Sequence, residues 1–195
     1  LGELPALVAA TALLMDYVLT VAVSISAGVA ELVSAFPALF PMRTWLAVLI
    51  VLFVMVINLR GVKESGAIFA LPTYFFVVMM FMTIGLAFYR YLTGSLGKVI
   101  DPPELEVART MATVTPFLLL RAFSSGTTAL TGVEAISNGI TAFKEPKSRN
   151  AGITLIWMSG ILAVLFFSTS FLAVNVGAIP SERETVISQI ARTAY

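Results

Sequence analysis

The chain contains no cysteine and no histidine, and only 12% of its 195 residues are charged. Without cysteine there is no disulfide, thiol nucleophile or thiolate metal site. Without histidine there is no imidazole ligand and no histidine-based acid–base chemistry. Any proton handling falls to Asp, Glu or Tyr. A soluble domain carries about 25% charged residues. The low charge here, with 58% hydrophobic residues and a mean hydropathy of +0.96, marks an integral membrane protein. A net charge of +1 argues against a nucleic-acid surface. No Met start and no basic flank precede the first apolar run, so no signal peptide is visible and the sequence reads as an internal fragment.

What is present is a series of apolar runs. A helical span needs about 20 such residues, and five regions qualify: about 4–36, 44–59, 67–91, 111–143 and 153–174. The pattern predicts an all-α membrane protein in a single domain, 1–195. The first region exceeds a vertical crossing and must tilt or protrude. Pro37 and Pro41 mark a turn, and residues 60–66 form a polar loop bounded by glycines. Pro72 sits in the early turns of the third span or kinks it. Tyr89 and Tyr91 around Arg90 make an interfacial anchor. Residues 93–110 read as a surface connection, and 180–195 as a short surface helix. Arg60 and Lys63 share a side with Lys144, Lys147 and Arg149, all in compact loops, which puts that side in the cytoplasm. The first span then runs outward, and the chain is multi-pass in the cell membrane.

The fourth region carries the most unusual stretch, Thr127-Thr-Ala-Leu-Thr-Gly-Val-Glu-Ala-Ile-Ser-Asn-Gly139. It places Glu134 between Gly132 and Gly139 at membrane depth. Each glycine weakens a helix by roughly 1 kcal/mol relative to alanine. A carboxylate at mid-span costs about 2.5–3.5 kcal/mol on insertion scales. Both are reasonable if the helix is interrupted near 131–139 and its loosened backbone lines a cavity, as in transporters with discontinuous helices. The alternative is a kink glycine beside a paired structural glutamate.

Asp16 is the second stranded carboxylate. With Thr20 and Ser24 it recurs at steps of four, so the three share one side of a helix, and Tyr17 can reach that side. Thr131 and Glu134, three residues apart, repeat the arrangement in the fourth region. Oxygen-only ligand sets suit hard cations, and carboxylate, hydroxyl and carbonyl oxygens together can replace an alkali ion's hydration shell. A carboxylate that holds either a proton or a cation couples the two. Hydroxyls in membrane helices also bond to their own backbone or to a neighbouring helix, so Thr20 and Ser24 remain open to a structural reading. Glu31 is expected to reach the interface, Arg121 to snorkel or pair with an acid, and Asn58 and Asn175 to be interfacial. Met79 and Met80 are packing or lipid contacts, and Glu145 belongs to a solvated loop.

Gly132-Val-Glu-Ala-Ile-Ser-Asn-Gly139, followed by Ala142-Phe-Lys-Glu-Pro-Lys-Ser-Arg-Asn150, resembles the sixth helix and following loop of the amino acid–polyamine–organocation (APC) superfamily. Asn58-Leu-Arg-Gly-Val-Lys-Glu-Ser-Gly66 looks like that superfamily's loop between helices four and five. The likeness implies helices three to seven of a twelve-helix, LeuT-type inverted-repeat transporter. Within it, Asp16, Tyr17, Thr20, Ser24, Thr131 and Glu134 match the spacing of the ion site in bacterial KUP-type potassium importers. The resemblance implies proton-coupled potassium uptake by a homodimer, with potassium held at Asp16, Thr20, Ser24, Thr131 and Glu134. K+ and H+ are then cargo, and no cofactor is expected. The rival expectation is an amino-acid permease of the same superfamily, whose site does not require a carboxylate and two hydroxyls stacked on the third helix. An intramembrane enzyme is not expected. No second Asp stands in a Gly-x-Gly-Asp setting to build an aspartyl protease, and a rhomboid-like serine site would need histidine.

Overall fold

The computed structural model describes residues 2–102, 115–127 and 133–195, and the side chains of 62–65, 127, 134, 135 and 138 lie outside the description. Among the described residues the α-helices are, in order, α1 (Glu3–Ala35), α2 (Arg43–Asn58), α3 (Val62–Leu92), α4 (Pro116–Thr127), α5 (Val133–Asn138), α6 (Lys147–Val176) and α7 (Val186–Ala194). Short 3-10 turns at Pro37–Met42 and Ile140–Ala142 lead into α2 and out of α5. Among the described residues there is no strand. Among the described residues, four helical stretches are long and apolar enough to cross a membrane: α1, the Pro37–Asn58 run, Gly66–Leu92 within α3, and α6. At 33 residues, α1 is about 50 Å long, against a hydrocarbon core of about 30 Å.

The fourth expected span, 111–143, is represented by α4 and α5. Residues 111–114 and 128–132 between and before them, including Thr131 and Gly132, lie outside the described residues. Gly139 holds φ −87°, ψ 11°, a right-handed turn that any residue adopts, so α5 ends there without using glycine's conformational freedom. Two loops are shorter than the sequence suggests. Gly61, at φ 116°, reverses the chain so that α3 starts at Val62, and α6 already starts at Lys147. Hydropathy marks the buried part of a helix, whereas lysine and glutamate extend the helix into water because they are good helix formers. Pro72 stays inside an unbroken α3.

The final segment is the larger correction. Read as a surface helix, α7 instead docks into the ends of α3 and α6. Ile190 and Ala194 join Met80, Ile84, Ala87, Val99, Leu165, Leu172 and Val176 in one buried cluster. Of the methionine pair, Met80 is therefore core and Met79 is exposed. Phe171 on α6 stacks on Phe88 at 5.6 Å and meets the edge of Tyr91 at 5.2 Å, fastening α6 to α3. Gly177, left-handed at φ 73°, ends α6, and the Ala178 amide donates back to the Ala173 carbonyl at 2.9 Å; this closes the helix and turns the chain toward α7.

Gln189 fixes that turn. It is fully buried, accepts from the Ile179 amide at 2.9 Å and donates to the carbonyls of Ile179 at 2.7 Å and Glu184 at 3.3 Å. Cations close the helix ends. Arg90 donates to the Thr193 and Ala194 carbonyls, Lys98 to the Asn175 carbonyl, and Arg192 to the Ile100 carbonyl. These carbonyls belong to C-terminal turns of α6 and α7 or to the adjoining loop, where positive charge is favoured. The accessible surface, 14535 Å², far exceeds the roughly 9,000 Å² of a compact soluble protein of this mass. The long helices meet at the α7 end and leave apolar faces uncovered along their lengths.

Replacing Gln189 by Leu would strand both polar groups of Ile179 and cost about 2–4 kcal/mol. The full-length Gln189→Leu protein should melt well below wild type in detergent, and an unchanged melting temperature would contradict this account.

Candidate functional site

Because α1 is unbroken from Glu3 to Ala35, the polar residues along it keep helical register. At about 100° per residue, Thr20, Ser24 and Tyr17 stand roughly 40°, 80° and 100° round from Asp16, and Asp16 to Ser24 rises about 12 Å. All four expected ligands of this helix thus occupy one arc. Asp16 and Ser24 are exposed, and Tyr17 and Thr20 are half-buried. The buried residues of α1, Val29 and Val33, lie on the other side of the helix.

The hydroxyls on this helix behave in two ways. Thr11 and Ser34 donate to backbone carbonyls four residues back, Leu7 and Ala30, at 2.8 Å each. Among the described residues, Thr20 and Ser24 make no such bond. Their hydroxyls are not spent on the local backbone. Asp16 enters none of the ion pairs found among the described residues, which join Arg43 to Glu182, Lys147 to Glu145 and Arg192 to Glu184. No cluster of three or more acids gathers among those residues either.

The partner half of the expected site is described only in outline. Glu134 falls in α5, which packs against α6. Its side chain, with Thr131 and Gly132, lies outside the described residues. The structure braces α1 against α2, the Pro37–Met42 turn and α7. The two halves of the expected site thus stand on elements with different neighbours.

A cleft of about 400 Å³ lies elsewhere among the described residues. Ser26, Val29, Ala30 and Val33 of α1 face Thr44 and Ala47 of α2 across it, and Arg43 and Glu182 pair at 3.3 Å beside it. It contains none of the expected ligands and is mostly apolar, so we give it no role in ion binding. Glu145 pairs with Lys147 at 3.5 Å in an exposed loop, as expected for a solvated position.

Glu31, expected to reach the interface, is half-buried. Its Oε2 accepts the Thr185 hydroxyl at 2.9 Å, and the Thr185 amide donates to Ser34 Oγ at 2.9 Å. Glu31 and Ser34 stand roughly 60° and 0° round from Asp16, on the same arc. The steps 16, 20, 24, 31 and 34 are all multiples or sums of three and four, a signal present in the sequence.

A family profile described as an amino acid permease matches residues 1–193. This chain belongs to the amino acid permease family. It is also 49% identical over 197 residues, across all of its own length, to a protein named potassium transporter KimA from Bacillus subtilis (strain 168). The chain spans 32% of the length of that relative. Both names describe transporters, not enzymes, and the permease family and the membrane-length helices make this a membrane protein.

If the Asp16 arc lines water, cysteines placed there should form reactive thiolates and those opposite should not. In the full-length protein, Thr20→Cys and Ser24→Cys should react with a water-borne maleimide. Val18→Cys and Ala22→Cys, about 160° away, should stay unlabelled. Equal labelling of all four would take the arc out of any aqueous cavity.

Proposed function

We propose that this chain forms part of a secondary active transporter that carries potassium into the cell in exchange for energy from the proton gradient. The observation that supports it most directly is the arc of Asp16, Thr20 and Ser24 on an unbroken helix of membrane length. An acid on such a helix is costly and points to function, and oxygen ligands of this kind match a hard, weakly held cation. Identity across the whole chain to a protein named a potassium transporter supports the same cargo.

In this reading Asp16 supplies the charge that draws the ion, while Tyr17, Thr20 and Ser24 take the place of its water. Thr131 and Glu134 complete the shell from the fourth span, which is interrupted near Gly132 and Gly139 as in LeuT-type transporters. Opened carbonyls there would add neutral ligands. Proton and potassium exchange at a shared carboxylate would couple the two flows. The working unit is a homodimer in the cell membrane, with the 60–66 and 144–150 loops on the cytoplasmic side.

An amino-acid permease is the second reading, favoured by the family description. It leaves the stacked carboxylate and hydroxyls of α1 without a task.

Uptake of labelled ion into vesicles holding the full-length protein decides between them. Asp16→Asn and Glu134→Gln should each lower potassium uptake about 10- to 100-fold, the loss expected when a charged ligand is neutralised, with protein yield preserved. Competition by leucine or arginine and not by potassium would establish the permease reading instead. Acidifying the outside should speed potassium uptake, and pH-independent uptake would remove proton coupling.

A further inference from the structure

The polar arc of α1 does not stop at Ser24. Continued along the unbroken helix, it passes Ala27 and reaches Glu31 and Ser34, which stand within about 60° of Asp16. Glu31 lies about 22 Å along the axis from Asp16. With Asp16 at mid-depth, half a hydrocarbon core is about 15 Å, so Glu31 stands in the headgroup layer, within reach of water. At that level Thr185 meets the arc. Thr185 gives its hydroxyl to Glu31 Oε2 at 2.9 Å and its amide to Ser34 Oγ at 2.9 Å. Its hydroxyl also accepts the Ser188 amide at 3.1 Å, so Thr185 is the N-cap of α7. The same atom that starts α7 therefore covers the end of the arc.

We infer that Glu31 is the outer cation-recruiting residue of this transporter, and that Thr185 is the latch that covers it. The inference rests on the potassium-transport reading. A potassium ion arriving from outside takes Oε2 of Glu31 in place of the Thr185 hydroxyl, then passes down the arc by way of Ser24 and Thr20 to Asp16. Glu31 to Ser24 is about 10.5 Å along the axis, and the steps from Ser24 to Thr20 and from Thr20 to Asp16 are about 6 Å each. Glu31 is suited to the first step because its carboxylate is only half-buried and Thr185 uses just one of its oxygens. Among the described residues Glu31 enters none of the ion pairs, which join Arg43 to Glu182, Lys147 to Glu145 and Arg192 to Glu184. A purely structural Glu31 would serve only to hold α7, and the two roles separate in kinetics.

The test uses full-length protein in proteoliposomes, with potassium uptake measured against external concentration. Glu31→Gln keeps an acceptor for Thr185 but loses the charge. It should raise the KM for external potassium about fivefold, the loss from one unit charge at contact distance in a wet site, with maximal rate within about twofold of wild type. Glu31→Asp keeps the charge and shortens the reach to Thr185, and its KM should stay near wild type. Thr185→Val removes the latch hydroxyl and should not raise the KM. An unchanged KM in Glu31→Gln overturns the proposal. So does equal damage in Glu31→Asp and Glu31→Gln, or a loss of maximal rate at unchanged KM, each of which assigns Glu31 to holding α7. If wild-type vesicles take up amino acids and no potassium, the functional reading falls and this proposal with it. Wild-type potassium uptake with an indifferent Glu31→Gln overturns this proposal alone.

Discussion

The insertion of α7 between the ends of α3 and α6 is the contact on which the remaining arrangement depends. A nine-residue helix is too short to persist alone in water. It forms here because Ile190 and Ala194 are buried against Leu172, Val176 and Ala87, and Gln189 takes over the polar groups of the approaching loop. In return, the segment from Gly177 to Ala194 reaches every long helix. Glu182 pairs with Arg43 at the start of α2, Thr185 holds Glu31 and Ser34 near the end of α1, and Arg90 of α3 closes the last turn of α7. Away from that end, the apolar faces of the helices remain uncovered.

The first helix shows how one element serves two environments. One side, around Val29 and Val33, packs near the α1–α2 cleft. The other carries Asp16, Thr20, Ser24, Glu31 and Ser34. A helix of this length that must both support its neighbours and expose oxygens cannot be apolar all round. The proposed potassium path and the contact with α7 then lie on the same side. This would link occupancy of the path to the position of the outer helix, and hydrogen bonds from the single residue Thr185 would be the link.

Much of this organisation was legible before any coordinates. Four apolar runs became membrane-length helices because burial in lipid requires internal backbone bonding, and long apolar runs meet that demand only as helices. The shared arc of Asp16, Thr20 and Ser24 also followed from spacing alone. Thr131, Gly132 and the Glu134 side chain lie outside the described residues, so the second half of the expected site rests on sequence and family likeness. What spacing misjudged was polarity at the chain's end. Residues 180–195 looked like a surface segment because Ser181, Glu182, Arg183, Glu184, Gln189 and Arg192 dominate it. The few apolar residues among them fill a site built by α3 and α6. The hydrogen bond from Thr185 to Glu31 is likewise invisible in the sequence, since the two residues are 154 apart.

The amino-acid sequence by itself determined that this is a helical membrane protein and that Asp16, Thr20 and Ser24 share one side of α1. Those properties are local: hydropathy over about 20 residues and a turn of 3.6 residues decide them. Only the tertiary structure decided that α7 is core, that Gln189 is satisfied in burial and that Thr185 covers Glu31. Each of these depends on groups brought together by docking, and a hydrogen bond between distant residues leaves no periodic trace in the chain.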